Sequence, residues 1–210
     1  MKYCILLSFL FIQLLSCHSG KTNFTDDPID VIELFTGEHL KNWTSEPFKY
    51  AGDISIKDSM LVLGRGGYLT GVTWTGSVLR TNYEINLDAM RIEGLDFFCG
   101  MTFPVDSTHC SLIIGGWGGF TTGLSSINGI DASENGTSSV ILFEDNRWYH
   151  IRLRVTLQRI RAWVDKELIV DVNTSGKIFS LRSDVEMTTP LSIMTFNTTG
   201  AVKNVVMRRL

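Results

Sequence analysis

Between Asn82 and Ala89 the chain alternates strictly. Tyr83, Ile85, Leu87 and Ala89 hold one parity, and Asn82, Glu84, Asn86 and Asp88 hold the other. A period of two puts successive side chains on opposite faces of a strand, so one face is made for a core and the other for water or a polar cleft. The pattern returns over Trp148–Leu157, Ile160–Val164 and Leu168–Val172, where Asp165-Lys166-Glu167 splits the last two runs. These three runs predict a meander. Ile54–Leu63 predicts a hairpin turning at Lys57-Asp58-Ser59. Phe97–Phe103 and Cys110–Ile114 are nearly continuous apolar runs, as expected of central strands covered on both faces, and Leu191–Phe196 and Ala201–Met207 supply two closing strands. Helical periodicity of useful length is absent. Short strands at this spacing predict an all-β sandwich of two antiparallel sheets, of jelly-roll type.

A chain of 210 residues with a formal charge of -3 suits one domain with a full-sized core. The mild acidity and the lack of a Lys/Arg-rich run argue against a nucleic-acid partner. The first segment is set apart. Met1-Lys2-Tyr3, an apolar run from Ile5 to Leu15, and Ser16-Cys17 read as an export signal. Leu14-Leu15-Ser16-Cys17 resembles a bacterial lipobox, in which Cys17 carries the lipid anchor; a plain signal cut near Ser16 is the alternative. The organisation expected is a lipoprotein signal over residues 1–17, a polar tether over 18–30 and the β-domain over 31–210, exported and held at a membrane only through lipid. Cys99 and Cys110 remain in the domain, either as a disulfide or as small buried hydrophobes.

Three separated motifs carry a family resemblance. Leu34-Phe-Thr-Gly-Glu-His-Leu-Lys-Asn-Trp43 resembles the opening of the 3-keto-disaccharide hydrolase domain. Asn146–Val155 with Ile160–Asp171 is similar to its late signature, a Trp before a strand and then a hairpin; Val202–Arg208 resembles its closing strand. The resemblance spans residues 31–210. It implies a concanavalin-like jelly roll and hydrolysis of glycosides whose C3 hydroxyl has been oxidised to a ketone. The middle departs from the family pattern at Gly94–Thr102 and at Cys110-Ser-Leu-Ile113, so no family residue is carried onto this chain.

A C3 ketone acidifies the C2 proton. Such chemistry needs a base, a group that polarises the ketone oxygen, and an acid near the leaving group; a divalent metal could serve as the polarising group. Candidates follow from residue type and place. Glu84, with Asp88 on the same strand face, is a candidate base or a solvated face. His109 is a candidate base or metal ligand, or a hydrogen-bonded strand end. Asp96 opens a central strand and is a third catalytic candidate. Trp117, between the pairs Gly115-Gly116 and Gly118-Gly119, either plugs a core or offers its ring to a sugar. Asp131, Glu134 and Asn135 form an oxygen-rich loop suited to sugar hydroxyls or a hard cation, or simply solvated. Arg147 is a candidate partner for a site acid. Trp148 and Trp163 sit in regular strands and are assigned to the core. Two functions remain: a hydrolase of 3-keto-glycosides, and a non-catalytic carbohydrate-binding sandwich at the cell surface. Converging titratable groups would favour the first and an exposed aromatic shelf the second.

Overall fold

The computed structural model describes residues 31–210. The export signal, Cys17 and the tether lie outside the described residues. Among the described residues there are fifteen strands: β1 (Val31–Phe35), β2 (Trp43–Ser45), β3 (Ile54–Lys57), β4 (Met60–Leu63), β5 (Leu69–Trp74), β6 (Tyr83–Gly94), β7 (Cys99–Val105), β8 (Thr108–Gly116), β9 (Thr121–Ser125), β10 (Ser139–Val140), β11 (Trp148–Val155), β12 (Arg159–Val164), β13 (Glu167–Asn173), β14 (Leu191–Phe196) and β15 (Thr198–Arg209). The first sheet runs β13-β12-β11-β6-β15-β4-β3, with β1 also on β15; the second runs β10-β9-β8-β7-β14-β5-β2. Every pairing is antiparallel and strands from both ends of the chain enter both sheets, giving a jelly-roll sandwich. One 3-10 helix, Ser183–Thr188, precedes β14.

Local sequence accounts for many of the elements. Asp58 and Ser59 both take positive φ (50° and 59°), the left-handed pair that lets a two-residue turn close the β3–β4 hairpin. The parity of β6 is as the alternation predicts: Tyr83, Ile85, Leu87 and Ala89 are buried, while Glu84, Asn86 and Asp88 lie on the outer face. The β11–β12–β13 meander forms as expected, with Ile151 opposite Leu87 on its inner neighbour. Cys99, Met101 and Phe103 of β7 and Cys110, Leu112 and Ile114 of β8 close the core from the second sheet. Full burial of each large aliphatic or aromatic side chain contributes about 1.5–3 kcal/mol. The Tyr83 hydroxyl is satisfied between the sheets by donating to the Pro104 carbonyl at 2.6 Å.

Three features differ from expectation or settle an alternative. Trp148 and Trp163 are not in the core. Their neighbours Tyr149, Ala162 and Val164 point inward, so strand parity turns both indoles onto the outer face of the first sheet. There Lys203 stacks on Trp148 at 4.0 Å and Arg152 on Trp163 at 3.9 Å, which covers the rings without removing them from the surface. Cys99 and Cys110 are free. Cys99 faces Ile114 while Cys110 faces Phe103, four residues further along the β7–β8 ladder, or roughly 13 Å, too far to bridge. Burial pushes both thiols up to about 12. Finally, β5 lies between β14 and the edge strand β2 of the second sheet, a strand that the sequence had not singled out.

Candidate functional site

The outer face of the second sheet is built in rows. Thr73, Ser192, Thr102, Ser111 and Ser125 stand side by side on β5, β14, β7, β8 and β9. The next row is Gly71, Met194, Gly100, Ile113 and Gly123. The 3-10 helix packs over the hydroxyl row, where Thr188 Oγ1 lies 2.8 Å from Thr102 Oγ1 and Val185 joins Leu69 and Met194 in a small apolar cluster. Glycine is required at the floor. A Cβ on Gly100 would come within 2.8 Å of the Phe97 ring and 3.0 Å of Met194 Cγ, so the bare backbone lets both side chains lie flat.

The second row and the ends of the strands beyond it leave a cleft of about 250 Å³. Tyr68, Phe97, Phe196 and Trp117 line one end of it, and Arg182, Asp184 and Ser125 contribute polar groups. Tyr68 stacks edge-on against Phe196 at 5.0 Å, and Phe196 lies 5.9 Å from Phe97. Trp117 sits in the β8–β9 turn at φ 46°, followed by Gly118 and Gly119 at φ 93° and 94°. A bulky residue in the left-handed region is held there by its surroundings. Asp96 is part of that hold: its Oδ1 accepts the Phe97 N–H at 2.8 Å and its Oδ2 accepts the Gly118 N–H at 3.3 Å. Arg91 is the other tether, donating from Nη1 to the Gly119 carbonyl at 3.2 Å and from Nη2 to the Phe143 carbonyl at 2.6 Å.

A connected polar chain forms another wall. Tyr68 donates to Asp184 Oδ2 at 2.7 Å, Arg182 lies 3.5 Å from Asp184 Oδ1 and is paired with Asp131, and Asp131 Oδ1 accepts the hydroxyls of Ser125 and Ser126, each at 2.9 Å. The hydrogen bond to Asp184 holds the Tyr68 phenol above its ordinary pKa, with burial adding to the effect, so the hydroxyl stays a donor.

The predicted site residues therefore separate. Asp96 and Trp117 line the cleft, and Asp131 reaches its wall through Arg182 and Ser125. Glu84 is on the outer face of the other sheet, where Arg154 binds it at 2.8 Å and Asn86 donates to it at 3.1 Å; Asp88 beside it pairs with His150 at 2.9 Å. This is the solvated-face alternative, set by the same parity that buries Tyr83 and Ile85. His109 shares the outward parity of Ser111 but stands one pleat repeat further from the cleft, opposite Pro104. Its Nε2 is buried without a hydrogen-bond partner, and burial, helped by the nearby Arg80 guanidinium, lowers its pKa from the ordinary 6.5. Glu134 and Asn135 line a different, more polar hollow of about 450 Å³ beside β13. Asn135 acts as a loop staple: its amide donates to the Leu124 and Ile130 carbonyls, and its Oδ1 accepts from the amide and hydroxyl of Thr137. Arg147 lies over the Tyr149 ring and pairs with Asp165 at 3.0 Å in the β12–β13 turn, away from the cleft. Among the described residues, no group of three or more His, Cys, Asp or Glu side chains is disposed to hold a metal ion.

Tyr68, Phe97, Phe196, Arg182 and Asp184 were not among the residues the sequence singled out. The one local signal was the Tyr before a Leu-Thr-Gly-Val-Thr-Trp run, a strand pattern with a ring at its mouth.

No family model matches the chain, and no curated protein sequence matches it. Solved structures do match. The carbohydrate-binding module CBM66 from Bacillus subtilis aligns over 80% of this chain and 95% of its own, at 15% identity and a TM-score of 0.51. A candidate glycosyl hydrolase from Parabacteroides distasonis aligns over 86% and 94%, at 13% identity and 0.53. The Crh5 transglycosylase, solved in complex with NAG, aligns over 85% and 83%, at 8% identity and 0.57. This is a concanavalin-like jelly roll. At these identities the likeness shows the fold alone.

Proposed function

We propose that the cleft on the second sheet binds a carbohydrate and that the domain acts as a glycan-binding module at the cell surface. The observation that carries this reading is the set of four aromatic side chains over an apolar floor, two of them open to solvent at 37% (Trp117) and 38% (Tyr68). The C–H face of a sugar ring suits such a surface, and polar groups at its margin orient the hydroxyls. The sandwich is shared with a carbohydrate-binding module, with a candidate glycosyl hydrolase and with a transglycosylase solved with NAG, which adds support. Of the carboxylates at the cleft, Asp96 is committed to two backbone N–H groups and Asp131 to Arg182 and two serines, while Asp184 accepts from Tyr68 through Oδ2 and keeps a buried Oδ1 with no hydrogen-bond donor, 3.5 Å from Arg182. That commitment favours binding over a free carboxylate pair of the kind an ordinary glycosidase needs.

Hydrolysis of 3-keto-glycosides is the second reading, favoured by one feature: the Asp184 carboxylate lies beside both a cation, Arg182, and a phenol held protonated, Tyr68. Asp184 would take the C2 proton as the C1 substituent leaves, the substituent's oxygen taking a proton from the Tyr68 hydroxyl, which recovers one from Asp184. Arg182 would stabilise charge on the ketone oxygen, and water would then add back across the double bond. Export and lipid anchoring through Cys17 belong to the same proposal and rest on the first 17 residues of the sequence; loss of membrane fractionation in Cys17→Ser is the corresponding check.

The deciding experiment incubates the protein with a chromogenic 3-keto-glucoside and its unoxidised parent, with and without chelator, while calorimetry measures binding of neutral oligosaccharides. Binding with no release from either glucoside establishes the module. Release from the keto form alone establishes the hydrolase. Neither binding nor release overturns both.

A further inference from the structure

The four rings at the cleft come from neighbouring strands in order. Trp117 follows the last residue of β8, Phe97 precedes β7, Phe196 ends β14 and Tyr68 precedes β5, and β8-β7-β14-β5 is the order in the sheet. The aromatic line therefore crosses the strands instead of running along one. Its two solvent-open rings, Trp117 and Tyr68, stand at its ends, with the half-buried Phe97 and Phe196 between them. Three strand spacings separate the ends, roughly 14 Å, and a pyranose repeat covers about one spacing. The charge lining the cleft is unbalanced: Asp96 and Asp184 line it with one cation, Arg182, which is itself ion-paired to Asp184 and to Asp131 behind it.

We propose that the cleft takes an uncharged oligosaccharide about four rings long, laid across the strands with its outer rings on Trp117 and Tyr68. This rests on the carbohydrate reading and extends it to ligand length, direction and charge. A single sugar ring can reach only one open aromatic surface, so the full contact area needs a chain that spans both. A uronate or sulfated sugar meets two lining carboxylates and a cation already paired, which disfavours it by like-charge repulsion in a partly desolvated site.

The test is isothermal titration of the full protein with ladders of one to six rings of β-1,4-, β-1,3- and α-1,4-linked gluco-oligosaccharides, and with tetragalacturonate as the acidic arm. In the ladder that binds, affinity should rise at least tenfold from one ring to four and level off from four to six, and tetragalacturonate should bind at least tenfold more weakly than the neutral tetramer. Tyr68→Ala should remove the gain from the fourth ring, and Tyr68→Phe, which keeps the ring, should retain it. A flat profile from one ring to six, or tetragalacturonate equal to the neutral tetramer, overturns this inference and leaves the carbohydrate reading standing. Absence of binding across every ladder overturns that reading and this one together.

Discussion

Replacing Asp96 with Ala probes how the Trp117 turn is held. The substitution removes acceptors for the Phe97 N–H at 2.8 Å and the Gly118 N–H at 3.3 Å. Hydrogen bonds to a charged group are worth about 1.5–3 kcal/mol when buried. Here Gly118 is exposed and its bond is long, so water replaces much of that one, and the summed loss should be about 1.5 kcal/mol. For a domain of this size that corresponds to a fall in Tm of roughly 3–6 °C. The remaining tethers, Arg91 to the Gly119 carbonyl and the Phe120 N–H to the Gly116 carbonyl at 3.3 Å, do not specify φ at Trp117, so the indole should lose its fixed orientation. Affinity for a neutral tetrasaccharide should drop about three- to tenfold. Asp96→Asn keeps one carbonyl acceptor and should lie between the two. Scanning calorimetry reads the stability and isothermal titration the affinity. If Asp96→Ala melts and binds as the parent does, the clamp argument is wrong. If Asp96→Asn instead abolishes release of a 3-keto-glucoside with no change in Tm, Asp96 is catalytic, the role for which the sequence made it a candidate.

Three further outcomes follow from the same geometry. Glu84→Gln should leave ligand binding and any glucoside release unchanged and shift stability by less than about 1 kcal/mol, because its pairing with Arg154 is at the surface of the other sheet; a loss of function would overturn that assignment. Ser192→Ala should be neutral or slightly stabilising in urea titration, since Ser192 Oγ is buried beneath the 3-10 helix with no hydrogen-bond partner; a loss above about 1 kcal/mol would show that the hydroxyl has one. For His109 the sign is set by its lowered pKa. The unfolded chain takes up the proton near 6.5 while the folded chain resists it, so the contribution is fully present above that pH and is lost as pH falls through 6.5 toward the lower folded value. Stability measured at pH 7.5 and pH 5 should therefore fall on acidification, and His109→Gln should reduce the fall; an equal fall in the variant would refute the role.

The faces of β6, β11 and β12 were legible in the sequence because the signal is local. A two-residue period follows from the geometry of a single strand, and the burial of Tyr83, Ile85 and Leu87 needs no knowledge of which strand lies beside them. The same rule carried to the end would have put Trp163 outside, since Ala162 and Val164 share the other parity. Weighing the indole by hydrophobicity alone missed a side chain that Arg152 covers from the solvent side. Trp117 and Asp96 were legible as candidates from the glycines and the strand start around them. Their partners were not. Tyr68, Arg182, Asp184 and Phe196 come from β5, the segment before β14 and the end of β14, and they meet Trp117 only because β8, β7, β14 and β5 lie side by side. Glu84 and Asp96, twelve residues apart in the chain, ended on different sheets for the same reason. Strand neighbours in an antiparallel sandwich are chosen by non-local pairing and by how two sheets share one core, so the alternation along the chain determined which face each residue takes and the tertiary structure alone decided which faces meet at the cleft.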